Sequence, residues 1–259
     1  MVFFLLFVFF WVESHGQTYA ELHNNEIYST YLSSIYHHKK QPLHILDIGA
    51  HDTKWAKTIQ QLLSSYPLEF FQIEGNSEHL SHLESFGHLF CLTLLGDIDE
   101  EIVQFHKSKY PDYTTGNSIF RERSVIYEDD NVETRSMYRL DTVLLEAMYE
   151  NVIFDLVKYD VQGAEKKALL GSEMTLRRMN SGIVVIESAL LPVNGGDAAS
   201  LLDIQLVLES FGFSMIDVQA EHYVKTSTGF KLLQIDAVYR KQNYSDLHNE
   251  EYSWPPLPA

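Results

Sequence analysis

Short apolar runs alternate with amphipathic stretches along most of the chain. Residues 18–38 carry Tyr19, Leu22, Ile27, Tyr31 and Ile35 at helical spacing. "PLHILDI" (42–48) then reads as a strand and "KWAKTIQQLLSS" (54–65) as a helix with one apolar face. "LEFFQIE" (68–74) predicts a second strand, "SEHLSHLESF" (77–86) a helix and "HLFCLTLLGD" (88–97) a third strand. The alternation breaks between about 104 and 140, where turn formers, aromatics and charges predict an insertion of irregular strands over the sheet. It resumes with a helix at "TVLLEAMY" (142–149), a strand at "FDLVKYD" (154–160) and a helix over 163–179. "GIVVIESAL" (182–190) is a further strand, and 197–212 a further helix.

Strands that are apolar throughout, alternating with helices, are buried on both faces of a parallel sheet. The last two, "FSMIDVQ" and "FKLLQIDAVYRK", follow one another without a helix, so they must run antiparallel. The expected fold is α/β and Rossmann-like: about seven strands, mostly parallel, with an antiparallel last strand and helices on both faces. One domain over 17–241 is expected, between a hydrophobic leader (1–16) and a polar, proline-containing tail (242–259).

The leader, "MVFFLLFVFFWV" followed by Glu13-Ser14-His15-Gly16, has twelve apolar residues. That is shorter than the ~20 of a membrane span and suits the core of a signal peptide. Secretion or anchoring through residues 1–12 is therefore expected, with a cytoplasmic protein bearing a hydrophobic extension as the alternative. The sequon Asn243-Tyr244-Ser245 is compatible with secretion.

Composition narrows the function. The 259 residues are 45% hydrophobic and 13% aromatic, enough for a sizeable core. A net charge of −17, with no basic cluster beyond pairs, disfavours nucleic acid and suits a neutral or cationic small ligand. Cys91 is the single cysteine, so neither an internal disulfide nor a cysteine metal site can form. The histidines show no metal-binding spacing, and no metal is expected.

Ligands of open α/β sheets lie beyond the carboxyl ends of the strands. Those ends are Asp47-Ile48-Gly49-Ala50, Glu74, Gly96-Asp97, Asp160-Val161-Gln162-Gly163 with Glu165 behind, and Glu187. Five strand ends therefore carry acidic residues at one edge. With Gly49 alone and no GxGxxG or GxxxxGK[ST], phosphate cradles for dinucleotides or nucleoside triphosphates are absent. S-adenosylmethionine carries a sulfonium cation and no phosphate, and it matches this edge: Gly49 for close approach, Glu74 for the ribose, Asp97 near the adenine amine.

The chain resembles the FkbM-type S-adenosylmethionine-dependent methyltransferases over about residues 43–240. The resemblance rests on "LDIGAH", "FQIEGN", "TTGNS", "YRLDTVL" and above all "LVKYDVQGAEKKALLGS", with "VIES" and "QIDAVY" fitting later strands. It implies methyl transfer to a hydroxyl of a glycan or small metabolite. In that reading Asp47, Gly49, Ala50, His51, Glu74, Asp97 and Asp160 hold the cofactor. Asp160 is the expected base, with Glu165, His51 and Glu187 as rivals, and Lys158 orients or balances its charge. The structural alternatives are a helix cap for Asp160 and a first-turn, dipole-favoured carboxylate for Glu165.

His51 and Thr53 depart from the family's Asn and second Gly. A side chain at 53 calls for an ordinary backbone angle, so the loop is expected to be shaped differently from the glycine form. Such a departure permits a second reading, a binding protein that kept the fold and lost turnover. A nucleic-acid methyltransferase is disfavoured by the charge. Acceptor contacts are expected from the insertion and the leading helix, with Tyr110, Tyr113, Asn117, Ser118, Arg121 and Arg123 lining a pocket.

Overall fold

The computed structural model describes residues 30–37, 39–110, 113–122, 127, 131–191, 194–195, 197–226 and 229–242. The leader, the sequon, Arg123 and nearly all of the tail lie outside the described residues. Within them no helix is long and apolar enough to cross a membrane.

Among the described residues, ten strands and seven α-helices follow in order: α1 (30–37), β1 (Leu43–Ile48), α2 (Lys54–Leu62), β2 (Leu68–Glu74), α3 (Leu80–Phe86), β3 (Leu89–Leu92) and β4 (Leu94–Leu95). Then come β5 (Glu101–Lys107), β6 (Asn131–Tyr138), α4 (Leu140–Glu146), β7 (Leu156–Tyr159), α5 (Glu165–Leu170) and α6 (Glu173–Arg178). β8 (Ile183–Ala189), α7 (Leu201–Ser210), β9 (Phe213–Thr226) and β10 (Gly229–Lys241) complete the domain.

Seven strands form the main sheet in the order β3-β2-β1-β7-β8-β10-β9. β1 pairs in parallel with β2 and β7, and β10 runs antiparallel between β8 and β9. Strand order progresses outward in opposite directions from the parallel neighbours β1 and β7, and this switch point places the ligand crevice beyond their carboxyl ends.

The pleat explains the two layers. Along β1, Leu43 and Ile45 face one way and pack with Leu32, Ala56, Ile59 and Leu63 of the α1–α2 side. Leu46 and Ile48 face the other way, into a core with Leu140, Leu169, Leu176 and Leu208 from α4–α7. α2 buries Ala56 and Ile59 on the side turned to the sheet. At the start of α7, Ser200 and Asp203 form a reciprocal capping box.

Three expectations are corrected. The run 88–97 is not one strand: β3 ends at Leu92, and Leu94–Leu95 leaves the main sheet to pair with β6. The insertion is more regular than expected, because β5 and β6 form an antiparallel ladder that completes a three-stranded sheet with β4. The helix over 163–179 is two helices, α5 and α6, broken at Gly171-Ser172. A Cβ on Gly171 would lie 2.0 Å from the Gly96 carbonyl oxygen, so the chain near Gly96 crosses where the helix stops.

Candidate active site

The edge of the sheet turns from apolar to polar on one face. On the α1–α2 face, Ile45 is followed two residues on by Asp47, Phe70 by Gln72 and then Glu74, and Leu156 by Lys158 and Asp160. Val185 is followed by Glu187, and antiparallel β10 brings Val238, Asp236 and Gln234 to the same place in reverse order. A step of two per strand therefore collects the whole polar set on one side.

Lys158 is the cation at its centre. Asp47 and Lys158 are cross-strand partners, and Lys158 Nζ lies 4.0 Å from Asp47 Oδ1 and 3.0 Å from Asp160 Oδ2. Burial works against its charge, but the two carboxylates outweigh burial and hold the ammonium well above its usual range. Asp47 is fully buried. Gln72 donates to its Oδ2 at 3.1 Å, while Oδ1 has no hydrogen-bond partner among the described residues. Burial raises the Asp47 carboxyl despite Lys158.

The loop after β1 is tied from both sides. Gly49 has φ 80°, and a Cβ there would meet the Asp160 carbonyl oxygen at 1.8 Å. Only glycine lets the turn after β7 approach so closely. His51 and Thr53 also have positive φ, 47° and 65°. The expected ordinary angle at 53 is thus corrected: the loop keeps a glycine-like path and imposes it on side-chain-bearing residues. Such conformations cost about 1–2 kcal/mol each and persist where surroundings overdetermine them. Here the His51 N–H donates to Glu74 Oε2 at 2.8 Å, and the Thr53 N–H to the Ala50 carbonyl at 2.8 Å. The His51 ring lies tilted against His79, with ring centres 3.9 Å apart, and its Nε2 lies 2.8 Å from Thr114 Oγ1 in the insertion. Burial lowers the pKa of His51, and burial with two histidine neighbours lowers His79 to about 4.

Glu74 braces this loop. Its two oxygens accept the N–H groups of His51 (2.8 Å) and Asn76 (2.6 Å), and it is 8% exposed. Burial raises its carboxyl, against those two hydrogen bonds.

The turn after β7 has the same character. Gln162 and Gly163 both have positive φ, at 55° and 98°. Glu165, buried at the start of α5, accepts the N–H groups of Val161 and Gly163 through Oε1, each at 3.1 Å. Burial pushes it up to about 7 in spite of those bonds. The turn presents Gln162, whose Nε2 donates to Asp160 Oδ1 at 2.7 Å and to Glu187 Oε2 at 2.6 Å. Burial works against the Asp160 charge, yet Lys158 and the hydrogen bonds around it hold that carboxyl below its usual range. Burial and then the Asp160 charge push Glu187 well above its own. The two shifts run in opposite directions, so the pair favours charge on Asp160 and a proton on Glu187.

A cavity of about 190 Å³ opens beyond β8. Gln162, Glu187, Asn194 and Gln234 supply its polar wall, and Leu190 and Leu191 part of its apolar one. The insertion closes over the same turn: Ser118 Oγ bonds the Val161 carbonyl at 3.3 Å, and Gly195 N–H donates to the Arg121 carbonyl at 2.8 Å.

The structure brings together Asp47, Gly49, Ala50, His51, Glu74, Lys158, Asp160, Glu165 and Glu187. Asp97 stands apart, and its expected position at the end of a main-sheet strand is corrected. It follows β4 and pairs with Lys167 at 2.9 Å. The expected insertion residues Tyr110, Tyr113, Asn117, Ser118 and Arg121 do not line the cavity, and Tyr110 and Tyr113 are exposed. Asp236, Gln234 and Asn194 were missed by sequence reasoning. Burial and the Asp160 charge push Asp236 up to about 7. The signal for it was an aspartate inside the otherwise apolar "QIDAVY".

A family model, the methyltransferase FkbM domain, matches residues 47–215. The sheet order, the crevice at the β1–β7 switch point and this match define a Rossmann-like methyltransferase. The chain belongs to the FkbM methyltransferase family. Among solved structures it is similar to the FkbM methyltransferase of Methylobacillus flagellatus, at 13% identity and a TM-score of 0.45, over 77% of this chain and 43% of that one. It is also similar to the magnesium protoporphyrin IX methyltransferase of Synechocystis with bound S-adenosylmethionine, at 10% identity and a TM-score of 0.41, over 88% and 87% of the two chains. The 1,6-didemethyltoxoflavin-N1-methyltransferase of Burkholderia thailandensis with bound S-adenosylhomocysteine aligns at 11% identity and a TM-score of 0.38, over 90% and 94%. No curated protein matches the chain in sequence.

Proposed function

We propose that the chain is an S-adenosylmethionine-dependent O-methyltransferase acting on a hydroxyl of a glycan or small metabolite. The observation that carries the reading is the Asp160–Gln162–Glu187 bridge, which sets an ionised carboxylate beside a cavity at the crevice. The edge fits a cationic cofactor: Asp47, Asp160, Glu187 and Asp236 surround one ammonium, Lys158, and a buried Asp47 oxygen lacks a hydrogen-bond partner among the described residues. A sulfonium and an ammonium group would offset that crowding.

Asp47, Gly49, Ala50, His51 and Glu74 would hold the cofactor, with Glu74 offering its remaining lone pairs to hydroxyls. When bound, S-adenosylmethionine supplies an electrophilic methyl group. Asp160 accepts the acceptor's hydroxyl proton, Lys158 steadies the Asp160 charge between turnovers, and Gln162 fixes its orientation. Correct alignment of acceptor and methyl contributes several kcal/mol.

One observation favours a second reading, a binding protein without turnover. Both Glu74 oxygens already accept loop N–H groups, across a loop with two strained residues. Transfer of labelled methyl from S-adenosylmethionine to hydroxylated small molecules separates the two. Transfer that disappears in Asp160→Asn supports the enzyme. Tight cofactor binding with no transfer to any hydroxylated compound supports the binding protein.

A further inference from the structure

We propose that the cavity beyond β8 receives the uncharged, hydroxyl-bearing end of the methyl acceptor and excludes anionic groups, with Gln234 and Asn194 as its specificity-determining residues. The word acceptor rests on the methyl-transfer reading; the selectivity does not.

The polar wall has an uneven hydrogen-bonding supply. Both N–H bonds of the Gln162 amide go to Asp160 and Glu187. One Asn194 amide N–H donates to the Gln162 carbonyl, and one Gln234 amide N–H donates to Glu187 Oε1. Asn194 and Gln234 each keep a second amide N–H, and among the described residues the three amide oxygens accept no hydrogen bond, so the wall presents acceptors and donors side by side. Beside them stand Glu187 and Glu165, and none of the described lining residues is Lys, Arg or His. Such a wall is matched by groups that both donate and accept, as hydroxyls do, whereas negative charge meets two carboxyls and no lining cation. The raised carboxyls of Glu187 and Glu165, both in the lining, agree that additional negative charge is unfavourable here.

Hydroxyls suit the wall better than an ammonium group. Both Glu187 oxygens already accept amide N–H groups, from Gln162 and Gln234, and Glu165 Oε1 accepts two backbone N–H groups, so the lining carboxyls are held by the wall and not left open to a ligand cation. Ala198, Leu190 and Leu191 give an apolar side for the carbon face of a ring. The volume of about 190 Å³ is smaller than most whole-ligand pockets, so it admits one end of a larger molecule. Gln234 arrives from the antiparallel strand β10 and meets Glu187 across the β8–β10 pairing.

The test is direct binding of four probes to the full-length protein, by calorimetry or ligand-observed NMR, with and without S-adenosylhomocysteine. The probes are methyl glucoside, glucosamine, glucuronate and glucose phosphate. Methyl glucoside is expected to bind at least about tenfold more tightly than either anion. Gln234→Lys is expected to narrow or reverse that order, and Ala198→Phe to remove probe binding while S-adenosylhomocysteine affinity is kept. If one variant does not fold, judged by its thermal midpoint, the other still decides. Anions binding as well as methyl glucoside overturn the proposal, as does a preference for glucosamine or indifference of probe binding to both variants. Failure to bind any probe also overturns it. Probe selectivity without cofactor binding sinks the methyl-transfer reading and leaves the subsite standing.

Discussion

Asp160 and Glu187 approach one another through a single amide nitrogen, that of Gln162, at 2.7 and 2.6 Å. Two carboxyls so close cannot both ionise, and Lys158, 3.0 Å from Asp160, decides which one does. Asp160→Asn is therefore expected to lower kcat by about 100-fold or more, the usual contribution of a general base. Glu187→Gln replaces the carboxyl that burial and the Asp160 charge hold against ionisation, and is expected to cost about tenfold or less. Steady-state kinetics on an acceptor found with the labelled methyl assay separates the two. Equal losses would remove the division of roles.

Gly49 is a second point of dependence. A Cβ there would sit 1.8 Å from the Asp160 carbonyl, at a backbone angle that disfavours side chains. Gly49→Ala should destabilise the protein by roughly 3 kcal/mol, combining overpacking with a left-handed alanine. Urea unfolding reads this as a lower midpoint at an unchanged slope.

Much of this architecture was legible in the residue pattern. Leu43–Ile48 and Leu68–Glu74 are apolar on both faces because helices cover both sides of the sheet, and that leaves an unmistakable run. The DVQGAE stretch marked the turn that carries Asp160. What escaped depends on pairing across the sheet. Asp236 and Gln234 reach the site because β10 lies antiparallel to β8, which nothing in their local sequence declares. Asp97 was misplaced because Leu94–Leu95 joins a different sheet from Leu89–Leu92, a choice made by the partner strand. The break at Gly171 arises from a crossing chain at Gly96, a contact distant in sequence.

The loop strain has a signature of its own. Thr53 is fully buried with φ 65°, so removing its side chain costs packing whichever residue replaces it. Thr53→Gly and Thr53→Ala share that loss, but only alanine keeps a Cβ in the left-handed region. The glycine variant should be the more stable by about 1 kcal/mol. Elsewhere in regular structure alanine is the better residue by a similar margin. Chemical denaturation of the two variants side by side checks the sign, and a more stable alanine form would mean the loop takes an ordinary angle.

Glu165 gives the fold a pH dependence. Burial raises its carboxyl from 4.5 to about 7 in the folded chain, against its hydrogen bonds from Val161 and Gly163. The folded state then binds the proton more tightly than the unfolded state. Glu165 therefore favours folding when protonated, and that contribution is lost as pH rises through about 7. Its full size is up to about 3 kcal/mol. Asp236, raised to about 7 by burial and by Asp160, acts in the same direction. Urea midpoints should fall between about pH 5 and about pH 7.5, and Glu165→Gln should flatten that fall.

Calorimetric titration of S-adenosylmethionine into the full-length protein tests the central claim most directly. Saturable binding at one site is predicted, weakened in Gly49→Ala and retained in Asp160→Asn. An absence of binding heat at high micromolar cofactor, in protein shown to be folded, would contradict the account.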